Sequence, residues 1–274
     1  VTASVDIETL AGILRDAAAR EIMPRYRSLG ADDIREKTSA IDLVTEADEA
    51  AERFIKARCA EHFPDALFIG EESVAADKAL LAKLADADLA IVVDPIDGTA
   101  NFAAGLPAFG VMASVVSKGR TVGGILFDPF GGDFLLAEHG AGAFMDRKGE
   151  RSRIALAPAV PLDEMIGAGG VSYFAKERRR AIFSNLAKVR LVANYRCAIF
   201  EYWAMATGSV HFLFFGNLMP WDHLAGALIV SEGGGAVRRL DGSAYLPSHV
   251  DGGLLVATDE SSWKALDQAL FADA

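Results

Sequence analysis

Apolar positions recur along the chain at two periods, and the change from one to the other outlines the elements. Ile7, Leu10, Leu14, Ala18 and Ile22 fall at helical spacing behind Asp6, a helix-capping residue type, and Pro24 ends the pattern. A second helix is expected from Thr45, with Ala51, Phe54, Ile55 and Cys59 on one face. Residues 66–70 and 89–93 are short apolar runs and read as buried strands. Residues 111–117 and 121–127 flank Lys118-Gly119-Arg120, a hairpin with a three-residue turn, and 133–138 and 142–145 reverse around His139-Gly140-Ala141.

Such close reversals predict a largely antiparallel sheet over residues 1–150, with the two early helices packed on one face. Past a charged stretch at 146–153 the pattern changes. Helices are expected at 174–188, 198–207 and 222–231, and strands at 190–193, 210–214, 236–239 and 254–257. That alternation predicts an α/β layer over residues 151–274. The expected class is α+β, in two halves that share one core.

Composition narrows the function. With 274 residues, 51% of them hydrophobic and 24% charged, the chain can bury a large core, which excludes a disordered protein. The net charge of −11 repels nucleic acid and anionic lipid, and it repels a phosphorylated substrate unless bound cations reverse the field locally. A local exception is Lys176, Arg178, Arg179, Arg180, Lys188, Arg190 and Arg196, opposed only by Glu177. This segment reads as a solvated face; the minority reading is an anionic partner.

Two cysteines and five scattered histidines match no disulfide framework and no zinc spacing, which points to a reducing cytoplasm. No secretory signal is read in the charged, amphipathic opening. Residues 202–221 lack Asp, Glu, Lys and Arg, but Gly208, Ser209, His211, Gly216, Asn217 and Pro220 interrupt them. They read as helix, turn and strand in a core, with no membrane partner.

Four segments carry candidate chemistry. Asp94-Pro95-Ile96-Asp97-Gly98-Thr99 follows an apolar strand, and Pro95 cannot donate to a ladder, so the sheet is expected to end there. Two carboxylates and the Ile96 carbonyl would form the oxygen-rich corner that Mg²⁺ prefers; a plain strand–turn–helix with Thr99 as cap is the competing reading. Gly70-Glu71-Glu72-Ser73 ends another strand, where paired carboxylates are ordinarily a solvated pair. Trp221-Asp222 opens a helix, with Asp222 as metal ligand, helix cap, or both. In Asp42-Leu43-Val44-Thr45-Glu46-Ala47-Asp48, Thr45 and Asp48 are spaced as a capping box, and Asp48 has the alternative role of orienting a hydroxyl or water.

Together, in this order, DLVTEAD at 42–48, GEES at 70–73, DPIDGT at 94–99 and WDHLAGALIVSEGGG at 221–235 resemble the inositol monophosphatase family, within the lithium-sensitive, magnesium-dependent phosphatases. The resemblance implies a layered αβαβα sandwich and a homodimer, for which the apolar strip 200–215 offers surface. It implies that Glu71, Asp94 and the Ile96 carbonyl hold one Mg²⁺, and Asp94, Asp97 and Asp222 a second. Two ions only balance four carboxylates, so a third, weaker ion or the phosphate-binding backbone would complete the charge. Implied also are direct attack by a metal-activated water, Thr99 and Asp48 as the couple that accepts its proton, and Gly98 and Thr99 N–H groups on the phosphate. Lys37 matches a basic residue near the metals, and is otherwise a surface lysine.

The substrate side departs from the family. A glutamate commonly found seven residues before the late aspartate is here Phe215, and the usual Gly-Ser/Thr-Ala segment reads Arg196-Cys197-Ala198. Arg196 would contact a further negative group on the substrate or pair with Glu201. The expected substrate is myo-inositol monophosphate or a related polyol or sugar phosphate, handled by Gly98, Thr99, Arg196, Cys197, Ala198, Phe215 and Asp222. Histidinol phosphate, fructose 1,6-bisphosphate and 3′-phosphoadenosine 5′-phosphate are the alternatives. Gly167-Ala168-Gly169-Gly170-Val171-Ser172 falls short of a dinucleotide fingerprint by its third glycine. Association with nucleic acid or the transcription machinery, known for bacterial members, would fall to the basic segment.

Overall fold

Helix starts follow local capping chemistry. In the computed structural model, which describes residues 5–30, 33–39 and 42–272 (backbone only at 37–39 and 42), the Asp6 carboxylate accepts the Glu8 and Thr9 N–H groups. Helix α1 (Ile7–Ala17) follows and widens into one π-helical turn, Ala18–Ile22. Strands β1 (Ile34–Ser39) and β2 (Asp42–Thr45) pair antiparallel and lead into α2 (Glu46–His62). The expected capping box at Thr45 and Asp48 forms at the α2 N-terminus. Lys37 lies among the residues whose side chains are not described.

The first sheet takes β3 (Leu67–Gly70), then, after α3 (Glu71–Ala76) and α4 (Ala79–Lys83), β4 (Leu89–Asp97). Helix α5 (Thr99–Ala103) separates β4 from β5 (Gly110–Ser117), β6 (Arg120–Asp128), β7 (Asp133–Glu138), β8 (Gly142–Arg147) and β9 (Glu150–Arg153). These seven strands lie in sequence order, with only β3 and β4 parallel. The β5–β6 turn has two residues rather than three. Ser117 pairs with Arg120, and both Lys118 (φ 49°) and Gly119 (φ 74°) adopt the left-handed conformation that a tight hairpin of matching twist requires.

The second sheet has the order β11-β10-β12-β14-β13. Its strands are β10 (Ile166–Gly169), β11 (Leu191–Ala193), β12 (Phe212–Phe215), β13 (Ala236–Arg239) and β14 (Leu254–Ala257). Helices α6 (Lys176–Asn185), α7 (Ala198–Ala206), α8 (Pro220–Glu232) and α9 (Glu260–Leu266) complete the chain.

Three apolar clusters order the layers. Ile7, Leu10 and Leu14 of α1 and Ala51 and Ile55 of α2 pack on Ile91, Val93, Val111 and Val115 of the first sheet. The opposite face, through Met112, Leu126 and Leu135, meets Tyr202 of α7 and Ala225 and Ile229 of α8, which in turn cover Leu213 and Val256 of the second sheet. The far face of that sheet, Phe212, Phe214 and Leu255, is covered by Ile182 of α6 and Trp263 and Leu266 of α9. The protein is therefore an α+β, five-layered αβαβα sandwich.

Two expectations are corrected here. Strand β4 does not end at Pro95 but runs to Asp97, with an irregularity between Asp94 and Asp97 that absorbs the missing donor. The strip 200–215 is not a free surface: Tyr202, Phe212, Leu213 and Phe214 are fully buried within the chain. Leu106, Tyr173, Phe183, Leu191 and Tyr195 are among the large apolar side chains that are exposed. Among the described residues no helix is long and apolar enough to cross a membrane.

Candidate active site

The irregularity in β4 is where the chemistry concentrates. Asp94 Oδ1 accepts the Ile96 N–H at 3.0 Å, a local turn that keeps both aspartates at the strand's end. Asp94 is 1% exposed. Carboxylate oxygens of Asp94, Asp97 and Asp222 lie within 4.8 Å of one another. Asp222 reaches them from the third residue of α8, which opens at Pro220, with Met219 as cap. Proline fits that first position because its missing N–H is not needed there. Asp222 is therefore not the helix cap.

Glu71 belongs to α3, at the end of β3, and its charge acts on Asp94, Asp97 and Asp48. Its placement depends on a residue the sequence reading missed. Glu52 of α2 is buried, and its carboxylate accepts the N–H groups of Glu72 (2.7 Å) and Ser73 (2.8 Å) and the Ser73 hydroxyl (2.5 Å). It serves as a capping carboxylate for α3 lent by another helix. Gly70 leaves room for this carboxylate, since a Cβ there would lie 2.3 Å from the Glu52 carboxyl carbon and displace it from its N–H partners. The available signal was spacing: Asp48 and Glu52 sit four apart, beside the buried Ala47, Ala51 and Ile55.

Thr99 and Asp48 meet. The Thr99 hydroxyl lies 3.0 Å from Asp48 Oδ1 and 2.9 Å from the Ile96 carbonyl oxygen, while Asp48 Oδ2 accepts the Thr45 N–H (2.8 Å) and hydroxyl (2.6 Å). The cap of α5 is Gly98, in the left-handed region (φ 92°), so Thr99 is not that helix's cap. A Cβ at Gly98 would lie 2.7 Å from the Ala108 carbonyl oxygen and 2.9 Å from Cys197 Sγ.

Burial and mutual repulsion set the electrostatics. Desolvation, then the charges of Glu71, Asp97, Asp222 and Asp48, hold the Asp94 carboxyl well above the usual range. Burial pushes Asp97 to about 6 against the hydrogen bonds it accepts from the Ile199 and Ala198 N–H groups, and Asp48 to about 6 against those from Thr45 and Thr99. Among the described residues no lysine or arginine pairs with Asp94 or Asp97. Clustered carboxylates that offer hard oxygen donors, with no cation paired to Asp94 or Asp97 among the described residues, fit a divalent cation such as Mg²⁺.

The cluster forms the floor of a cavity of about 1070 Å³. Arg196, Cys197, Ala198 and Phe215 are on its walls, as expected. Phe215 is nevertheless mostly core: its ring stacks on Tyr202 at 5.4 Å and lies 4.4 Å from the His223 ring. Arg196 does not pair with Glu201, whose Oε1 accepts the Tyr195 N–H at 3.3 Å. Glu201 itself lines the cavity, and burial, followed by the Asp97 charge, pushes it to about 8. His223, adjoining Asp222, donates its Nε2–H to the Asn217 carbonyl (2.9 Å), which leaves Nδ1 to accept from the Tyr202 hydroxyl (3.4 Å); burial lowers it to about 3. Neither residue was read as part of the site from sequence, because α7 and α8 must pack together before their inner faces converge.

A five-layered sandwich with buried and half-buried acidic groups gathered at the ends of two strands and one helix defines a class of hydrolases acting on phosphoric monoesters. The chain matches the inositol monophosphatase family over residues 5–274, and it belongs to that family of phosphatases. It is 33% identical over 218 residues to the fructose-1,6-bisphosphatase/inositol-1-monophosphatase of Thermotoga maritima, covering 77% of each chain. It is 33% identical over 229 residues to Nus factor SuhB of Escherichia coli K12, covering 82% of each. Among solved structures, an IMPase from Thermotoga maritima superposes with a TM-score of 0.78 at 26% identity, covering 96% of both chains. Extragenic suppressor protein SuhB from Bartonella henselae gives 0.76 at 26%, covering 95% of this chain and 99% of its own.

Proposed function

We propose that this protein hydrolyses small phosphate monoesters in a Mg²⁺-dependent reaction, with myo-inositol monophosphate and related polyol or sugar phosphates as substrates. The observation that carries it is the convergence of Asp94, Asp97 and Asp222 within 4.8 Å, beside a threonine hydroxyl held on a buried aspartate. Glu71, Asp94 and the Ile96 carbonyl would hold one ion, and Asp94, Asp97 and Asp222 the other. Bound there, Mg²⁺ supplies Lewis acidity and neutralises charge on the phosphate dianion.

The chain's own residues do the rest. Thr99 Oγ1 takes the proton of the attacking water as its own passes to Asp48 Oδ1, 3.0 Å away. Asp48, pushed to about 6, is a base suited to neutral pH. In α5 the Asn101 and Phe102 N–H groups bond back to the Gly98 carbonyl, so the earlier amides at Gly98 and Thr99 remain for the phosphate oxygens. Phe215 offers the substrate an apolar wall, which discriminates between hydroxylated rings by only ~1–3 kcal/mol, so preference for inositol among compact polyol phosphates is weak. Excess EDTA should abolish hydrolysis of inositol 1-phosphate and Mg²⁺ restore it, while Ca²⁺, with looser coordination, should inhibit. Full activity in chelator would overturn the reading.

A further inference from the structure

The loop from Asn194 to Cys197 has more fastenings than its length needs. Asn194 Oδ1 accepts the Arg196 N–H at 2.8 Å, and its amide packs so close to Gly170 that a Cβ there would lie 2.4 Å from Asn194 Nδ2. The Tyr195 carbonyl accepts from Asn101 Nδ2 of α5 at 2.9 Å, and the Tyr195 N–H donates to Glu201. Cys197 Sγ lies 3.4 Å from Asp97 Oδ2. Arg196 is thereby fixed in the left-handed region (φ 54°), a conformation that side chains with a Cβ seldom take unless neighbours impose it.

What the loop presents is a cation. The Arg196 side chain is exposed at the cavity wall and has no hydrogen bond or ion pair among the described residues. Among the described lining residues the only other lysine or arginine is Lys78, on a separate element, at the start of α4. The carboxyls of Glu71, Asp94, Asp97, Asp222 and Glu201 also line the cavity, so a second negative group on a substrate would be repelled away from the metals. A guanidinium on the cavity wall removes that repulsion at one place and offers a paired donor geometry for carboxylate or phosphate.

We propose that Arg196 forms a subsite for a second anionic group, so that the preferred substrates are compact phosphate monoesters that also carry a carboxylate or another phosphate. This rests on the phosphatase reading above and adds a substrate class to it. The subsite lies on the loop tied to α5, so it is in fixed register with the phosphate end of the cavity through Asn101.

The test uses two matched pairs that differ only in the second anion: 3-phosphoglycerate against glycerol 1-phosphate, and fructose 1,6-bisphosphate against fructose 1-phosphate. In wild type, kcat/KM should favour the anionic member of each pair about tenfold. Arg196→Gly, which keeps the left-handed backbone without strain, should bring both ratios close to one, and Arg196→Lys should retain part of the preference. Lys78→Met should leave the ratios unchanged. A preference in only one pair identifies the anion recognised and supports the subsite.

Binding of the same four compounds to the Ca²⁺-loaded protein, by calorimetry, reads the ratio without turnover. A failure of hydrolysis as such would then be separated from a failure of the subsite. Wild-type ratios near one, ratios that survive in Arg196→Gly, or ratios that collapse in Lys78→Met would each overturn the proposal.

Discussion

Thr99 has a single hydroxyl proton and two acceptors within 3.0 Å, Asp48 Oδ1 and the Ile96 carbonyl, and the first of these gives it a catalytic use. Thr99→Ala should slow hydrolysis by ~10²–10⁴-fold with the calorimetric affinity for Mg²⁺ little changed, and Thr99→Ser should recover most of the rate. If Thr99→Ala lowers the melting temperature while the rate per folded molecule holds, the hydroxyl is only structural. Phe215 illustrates the opposite relation of residue to role. Installing a glutamate there looks, from sequence, like a way to add a hydroxyl-binding carboxylate. The ring in fact lies between Tyr202 and His223, 8% exposed, and a charge at that position would join a crowd of buried carboxyls. Phe215→Glu should cost about 3–5 kcal/mol in urea unfolding, of the order of a large core truncation, without raising inositol selectivity.

At the scale of elements, one helix acts on the starts of two others. Helix α2 offers Asp48 to Thr99 and Glu52 to the first N–H groups of α3, so one helix positions both the proton acceptor and the segment that bears Glu71. Glu52→Ala should lose about 1–3 kcal/mol of stability by leaving the Glu72 and Ser73 N–H groups without their acceptor. It should also weaken Mg²⁺ binding measured by calorimetry, because α3 no longer holds Glu71 in place; Glu52→Gln, which keeps one acceptor oxygen, should fall between. Unaltered Mg²⁺ affinity in Glu52→Ala would show that β3 alone positions Glu71. Helix α8 likewise works at both ends of its length, with Asp222 in its first turn and Ala225 and Ile229 in the packing between the sheets.

Across the whole molecule, the buried acids link stability to pH and metal. Asp48 and Asp97 titrate near 6 in the folded protein, Glu201 near 8 and Asp94 well above its usual range, all higher than in an unfolded chain. The metal-free folded state therefore binds more protons between roughly pH 4 and 8, and its stability falls as pH rises through that window. His223, lowered to about 3, works in the opposite sense below about 6.5. The exposed Asp6, Asp241 and Glu260, held low by hydrogen bonds, do so only below about pH 4.5, so above that His223 stands against the four buried acids. In EDTA the melting temperature should be higher at pH 5 than at pH 8, and Mg²⁺ should recover the loss at pH 8. A metal-free protein that gains stability from pH 5 to 8 would contradict this account of the cluster.

The order of the motifs and their local chemistry were legible in the chain itself. DPIDGT after an apolar run, Thr45 with Asp48 as a capping box, and the hairpin periodicity all depend on neighbours a few residues apart, where backbone geometry leaves few choices. The same locality marked residues 94 to 99 as an oxygen-rich corner. Tertiary structure alone decided the contacts between distant segments. It extended β4 past Pro95, because the pairing with β5 tolerates an irregularity that a proline signal cannot announce. It turned the strip 200–215 from surface into core, since an apolar run has no mark telling which layer will cover it. It brought Glu52 to Gly70, 18 residues away along the chain, and Glu201 to the cavity that Asp97 floors. A buried charge becomes a cap, a ligand or a wall according to what packs against it, and only the folded sandwich supplies that partner.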